Sequence, residues 1–185
     1  MNNYILHAND SLLMVVDIQE RLYAAMEPGF RETFVKNSTI LIKTAQAFDM
    51  PLVVSEQYPK GLGATIDKIA SLTGEVKRFE KMHFSCYRDP AIQTHVDALS
   101  RKNVIVIGIE AHVCVYQTVI DLLMAGYRVV VADDAVCSRR QHDRVTALNR
   151  MAEAGALVYT TEMTAFALLE KAGTAEFKQV SPLFR

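Results

Sequence analysis

The sequence carries no excess of either charge: 20 Lys and Arg stand against 21 Asp and Glu, a formal net charge of −1. No polyelectrolyte partner is demanded by that balance, and the densest basic stretch, Ser138-Arg139-Arg140-Gln141-His142-Asp143-Arg144, is broken by an acid, so nucleic acid is not an expected partner. Long apolar runs are also missing. Met1 to Ser11 is polar, and the run that follows, Leu12 to Val16, is far too short for a membrane span or a signal segment. No membrane contact is expected, and a cytoplasmic location is the reading. Cysteine is scarce: Cys86, Cys114 and Cys137 are odd in number, widely spaced and free of any CxxC pair, which argues against a disulfide framework. No His or Cys cluster has zinc-site spacing, and neither metal nor cofactor is expected. Repeats, low-complexity tracts and long linkers are absent, so 185 residues read as one domain spanning 1–185 with one core.

What is present is half hydrophobic and strongly patterned. Short β-branched runs at Leu12–Val16, Leu52–Val54, Val104–Ile107, Val129–Val131 and Leu157–Tyr159 alternate with amphipathic stretches at about 31–48, 90–101, 113–125 and 139–154. Nearly continuous apolar strands are what a parallel sheet covered on both faces requires. Asp89-Pro90 marks a helix start, Gly126 and Gly155 mark two stops, and Gly61-Leu62-Gly63 reads as a loop. The alternation predicts a three-layer α/β/α fold with a doubly wound, mainly parallel sheet of the Rossmann-like kind. Ligands of such folds sit outside the carboxyl ends of the strands.

That rule reduces the search to strand exits. The first strand delivers Asp17 and Gln19; the second delivers Ser55, Glu56, Gln57 and Tyr58. A less regular strand within Val76–Lys81 delivers Lys81 and Phe84, and the strand at Val104–Ile107 delivers Glu110, Ala111, His112 and Cys114. Each has an ordinary reading: Asp17 as a cap, Lys81 as a solvated surface residue, Cys114 as a small buried hydrophobe. Together they make a chemically complete set. Asp17 could accept the Cys114 proton while Lys81 orients the carboxylate, and a helix starting near His112 or Val113, with an ammonium nearby, is expected to favour the thiolate. Asp133-Asp134 read as a cap after the fifth strand; Cys86 and Cys137 read as structural or incidental.

These residues stand in "VVDIQ", "FEKMHFS" and "GIEAHVCV", and in that order the sequence resembles the isochorismatase-like cysteine hydrolase family, which includes nicotinamidases and N-carbamoylsarcosine amidases. With "SEQYPKGLG" and "DDAVCSRRQHDRVTAL", it is similar to the isochorismatase domain-containing subgroup. The resemblance implies a triad of Asp17, Lys81 and Cys114, a thioester mechanism, and a cis peptide between Ile109 and Glu110 that aims N–H groups of Glu110 or Ala111 and Cys114 at an oxyanion. Gln19, Tyr58, Phe84 and His112 are pocket candidates, although Gln19 could simply begin a helix and Phe84 could be core. The Asp-x-His metal motif of the family's nicotinamidases is missing from Ser55–Tyr58, which disfavours nicotinamide. A cysteine nucleophile likewise disfavours vinyl-ether cleavage. What remains is a small amide, carbamoyl or related carbonyl substrate, in a chain expected to form homo-oligomers. The alternatives are a non-catalytic binding or scaffold protein and a redox-responsive thiol protein.

Overall fold

The computed structural model describes residues 6–185. Met1–Ile5, part of the polar N-terminal stretch discussed above, lie outside the described residues. Six strands, β1 (Ser11–Val16), β2 (Leu52–Gln57), β3 (Arg78–Lys81), β4 (Asn103–Ile109), β5 (Arg128–Cys137) and β6 (Leu157–Tyr159), form one sheet. Their order is β3-β2-β1-β4-β5-β6 and every pairing is parallel. The chain winds outward from β1 in one direction and then from β4 in the other. A crevice therefore opens between the carboxyl ends of β1 and β4, where the winding reverses.

Alternation along the buried strands divides the core into two layers. Leu12, Met14, Val16, Val104 and Val106 pack on one face; Leu13, Val15, Ile105, Ile107 and Ile109 pack on the other. Both faces are covered because parallel crossovers carry helices: α1 (Glu20–Ala25), α2 (Pro28–Ala47), α3 (Pro59–Leu62), α4 (Asp67–Thr73), α5 (Pro90–Ala98), α6 (Tyr116–Met124), α7 (Gln141–Glu153), α8 (Thr161–Leu169) and α9 (Ala175–Val180). No helix among the described residues is long and apolar enough to cross a membrane.

The punctuation acts as expected at α5, where the Asp89 carboxylate accepts from the Ala91 and Ile92 N–H groups at 3.0 and 3.3 Å. Gly126 and Gly155 follow the ends of α6 and α7 with φ of +90° and +105°. Three local expectations need correction. Pro59–Leu62 is a helical turn rather than open loop, started by Pro59 at its first position. Asp133-Asp134 do not terminate β5, which runs on to Cys137 through a register shift against β4. Asp134 instead holds the start of α8, whose N-cap is Thr160, accepting from the N–H and hydroxyl of Thr161 at 2.7 and 2.6 Å. The strand expected over Val104–Ile107 also runs on: Gly108 lies inside β4 at φ +133°, where an added Cβ would collide with the Val16 carbonyl. Glycine there lets β4 close on the end of β1.

Candidate active site

Sheet register brings the strand-exit residues together. Val16 pairs with Ser55, so Asp17 leaves β1 beside the end of β2; Gln57 pairs with Lys81 across β2 and β3. Asp17 takes a left-handed φ of +51°. Its carboxylate receives the Lys81 ammonium on Oδ2 and the Ser55 hydroxyl on Oδ1, each at 2.7 Å. Lys81 also donates to Gln57 Oε1 at 2.7 Å, to the Phe84 carbonyl at 3.0 Å and to the His83 carbonyl at 3.2 Å. The side chains of Lys81 and Asp17 are both 0% exposed. Lys81 is therefore not the solvated surface residue that its type alone suggested. A fully buried ion pair is sustainable only when neighbouring polar groups satisfy what the partners leave over, and here they do.

The thiol approaches from the other side of the crevice. Beyond β4 the Ile109–Glu110 peptide is cis, and Ala111–Val115 form a single π-helical turn before α6 begins. The Glu110 carbonyl accepts from the Val113 and Val115 N–H groups at 3.1 and 3.2 Å. Cys114 sits in this turn, 5% exposed, with Asp17 and Lys81 close enough for their charges to act on its thiol. The Glu110 carboxylate is engaged elsewhere, accepting from Arg139 Nε at 2.7 Å.

The electrostatics reverse one expectation. Cys114 is not held as a low-pKa thiolate: burial, then the negative charge of Asp17, push its pKa far above the ordinary thiol value, and the attraction of Lys81 does not offset them. Lys81 is raised above 10.5. Burial alone would lower it, but Asp17, together with Cys86 and Cys114 once these thiols ionise at high pH, outweighs that effect. The resting arrangement is accordingly a neutral thiol beside a carboxylate paired with an ammonium.

The pocket residues divide. Gln19 is buried, and its amide is spent on the chain itself, accepting from Gln57 N–H at 2.7 Å and donating to the Gln57 and Gly63 carbonyls at 3.0 and 2.7 Å. It staples the loops after β1 and β2, with both amide N–H groups engaged by the chain itself. Phe84 is 52% exposed, so it is not core. Tyr58 helps line a cleft of about 410 Å³ with Lys60, Lys81, Met82, His83 and Asp89. His112, whose Nδ1 lies 3.0 Å from the buried Ser138 hydroxyl, lines a smaller cavity of about 200 Å³ with Tyr116, His142, Asp143, Thr146 and Arg150. Among the described residues no cluster of three or more His, Cys, Asp or Glu is arranged to hold a metal.

Sequence reasoning missed Ser55, Gln57 and Cys86 as parts of this network. Cys86, treated as incidental, is buried with Sγ 3.3 Å from Ser55 Oγ. A signal existed for the first two: Ser55 and Gln57 are polar residues two apart, on one face at the end of a strand that begins with three apolar residues.

Comparison with known proteins identifies the family and the fold. Residues 11–163 match the Isochorismatase domain family. Isochorismatase family protein 1A of Dictyostelium discoideum is 37% identical, covering 96% of this chain and 87% of that one. The secreted isochorismatase effector Isc1 of Phytophthora sojae is 36% identical, over 96% and 85% of the two chains. Among solved structures, the MAR1 ribonuclease of Caenorhabditis elegans superposes with a TM-score of 0.90 at 36% identity, covering 97% of this chain and 91% of that one.

Proposed function

The chain belongs to the isochorismatase family, and from that premise we propose that it is a cysteine-dependent hydrolase of a small amide, carbamoyl or related carbonyl compound. One observation carries the reading: a buried carboxylate, held by Lys81 on one oxygen and by Ser55 on the other, and close enough to the Cys114 thiol for its charge to act on it, stands where the winding of the sheet reverses. Asp17 takes the Cys114 proton as the sulfur attacks the substrate carbonyl. The N–H groups of Glu110 or Ala111 and of Cys114 receive the oxyanion; those of Val113 and Val115 are committed to the Glu110 carbonyl. The tetrahedral species expels amine or ammonia, protonated by Asp17, and leaves a thioester. Water activated by the same carboxylate then releases the acid and restores the thiol. Lys81 keeps Asp17 oriented and compensates its charge throughout. Self-association, a cytoplasmic site of action and independence from metals and cofactors belong to this proposal; at least one relative, however, is named as secreted.

The test is ammonia release from a panel of small amides and carbamoyl compounds, with covalent trapping of the protein by a carbonyl electrophile followed by mass. Activity on some members, lost together with trapping in Cys114→Ser and Cys114→Ala, is the expected result. Trapping that persists in Cys114→Ala would exclude this nucleophile.

A second reading comes from the ribonuclease among the structural relatives. The observation favouring it is the cavity that brings His112 and His142 together with Arg150, a set suited to acid–base chemistry on a phosphodiester. RNA cleavage that survives Cys114→Ala but not His112→Ala would assign the activity to that cavity.

A further inference from the structure

We infer that Cys86 and Ser55 form a positioning chain for Asp17, in which the Cys86 thiol turns the Ser55 hydroxyl toward the carboxylate and so sets the pH range over which Cys114 reacts. The inference rests on the reading of Asp17 as the base for Cys114. Cys86 Sγ donates to Ser55 Oγ at 3.3 Å, and Ser55 Oγ donates to Asp17 Oδ1 at 2.7 Å. All three residues are fully buried, so no water competes for these groups. A hydroxyl has one proton and two lone pairs. With one lone pair occupied by the Cys86 S–H, its proton is left for Asp17.

Cys86 is suited to the donor role because burial pushes its thiol up to about 11, which keeps it protonated through the neutral range. Its place is fixed by core packing and by its own N–H, which donates to Thr118 Oγ1 at 2.8 Å. The titratable groups facing Asp17 are Lys81 from β3 and Cys114 from the π-turn, with Cys86 behind Ser55. Each carboxylate oxygen thus has a donor of its own. Hydrogen bonds to a carboxylate favour the ionised over the protonated form, so Ser55 determines how readily Asp17 accepts a proton. No proton passes along the chain; Cys86 and Ser55 act only by pointing.

The experiment is the pH dependence of Cys114 alkylation by iodoacetamide, site-resolved by peptide mass, alongside thermal melts. In Ser55→Ala the acidic limb of the profile should move to higher pH by about one unit, the size of change that losing one charge-assisted hydrogen bond brings. Ser55→Thr, which keeps the hydroxyl, and Cys86→Ser, which keeps a donor, should retain the wild-type limb; Cys86→Ala should move it partway. Should Ser55→Ala fail to fold, the Cys86→Ser and Cys86→Ala pair decides alone. An unmoved limb in Ser55→Ala or, if that variant does not fold, equal profiles for the two Cys86 variants overturns the inference while leaving the hydrolase reading intact. A Cys114 profile indifferent to Asp17→Asn overturns both.

Discussion

The two halves of the crevice handle charge in opposite ways. On the β1–β3 side, Lys81 and Asp17 are both buried and charged, and four acceptors surround the ammonium within 3.2 Å. On the β4 side, the Cys114 thiol is neutral because burial, and after it the negative charge of Asp17, disfavours the thiolate. The first half has its charge stabilised in advance by rigid strand ends in fixed register. The second gains charge only when Asp17 takes the proton, and it does so on a single π-turn. A buried thiolate at rest would be open to oxidation and would need its own compensating cation; a neutral thiol next to a prepared base needs neither.

The comparison is most severely tested by Lys81→Met, which keeps much of the volume and removes the charge. Asp17 would then be a buried carboxylate without a counter-charge, and Gln57 Oε1 would lose its donor. Breaking a buried pair from one side costs about 3–5 kcal/mol, on the order of 10 °C in melting temperature for a chain of this size. The double variant Asp17→Asn with Lys81→Met, having no buried charge left, should recover part of that loss. A single variant that melts within about 2 °C of wild type would mean that water reaches the pair and the stabilised half is not closed.

Legibility in the sequence follows the same division. The strands, the parallel sheet and the three strand-exit residues could be read because apolar runs of three to five residues report burial on both faces, and because the topology leaves one place for polar residues to meet. Gln57 and Ser55 were visible as polar interruptions of β2, but the pairing that sets Gln57 beside Lys81 depends on a register that side-chain types alone do not fix. Cys86 gave no signal at all. It follows β3 in an irregular segment and becomes relevant only when that segment folds back over the end of β2. The ionisation of Cys114 differs from the sequence expectation for a physical reason: helix start and lysine are visible in sequence, whereas depth of burial and the distance to Asp17 are not.

A second test separates the halves by pH. Burial raises Cys86 and Cys137 from the ordinary 9.0 to about 11, and raises Cys114 further. In each case the folded chain keeps a proton that the unfolded chain releases. The stabilisation is therefore complete below pH 9 and is lost as pH rises from there through about 11. A well-buried thiol contributes on the order of 2 kcal/mol across that window, so urea midpoints should fall steadily above about pH 9, and by less in Cys86→Ala. Midpoints that stay flat to about pH 11 would show that these thiols ionise freely in the folded chain.

The smallest expected effect concerns what holds the thiol turn from outside. Arg139 Nε donates to Glu110 Oε1 at 2.7 Å, but the Arg139 side chain is 58% exposed and the Glu110 side chain 11%. Water screens a pair with one partner this open, so Arg139→Ala should lower stability by no more than about 1 kcal/mol. The pair nevertheless reaches Glu110, the residue that follows the cis peptide and whose carbonyl takes two N–H groups of the π-turn. If the turn is held by those backbone bonds, Arg139→Ala leaves the rate of Cys114 alkylation unchanged. A tenfold change in that rate with an unaltered melting temperature would make the outer ion pair part of the machinery that presents the thiol, and would move the boundary between the two halves outward to Arg139.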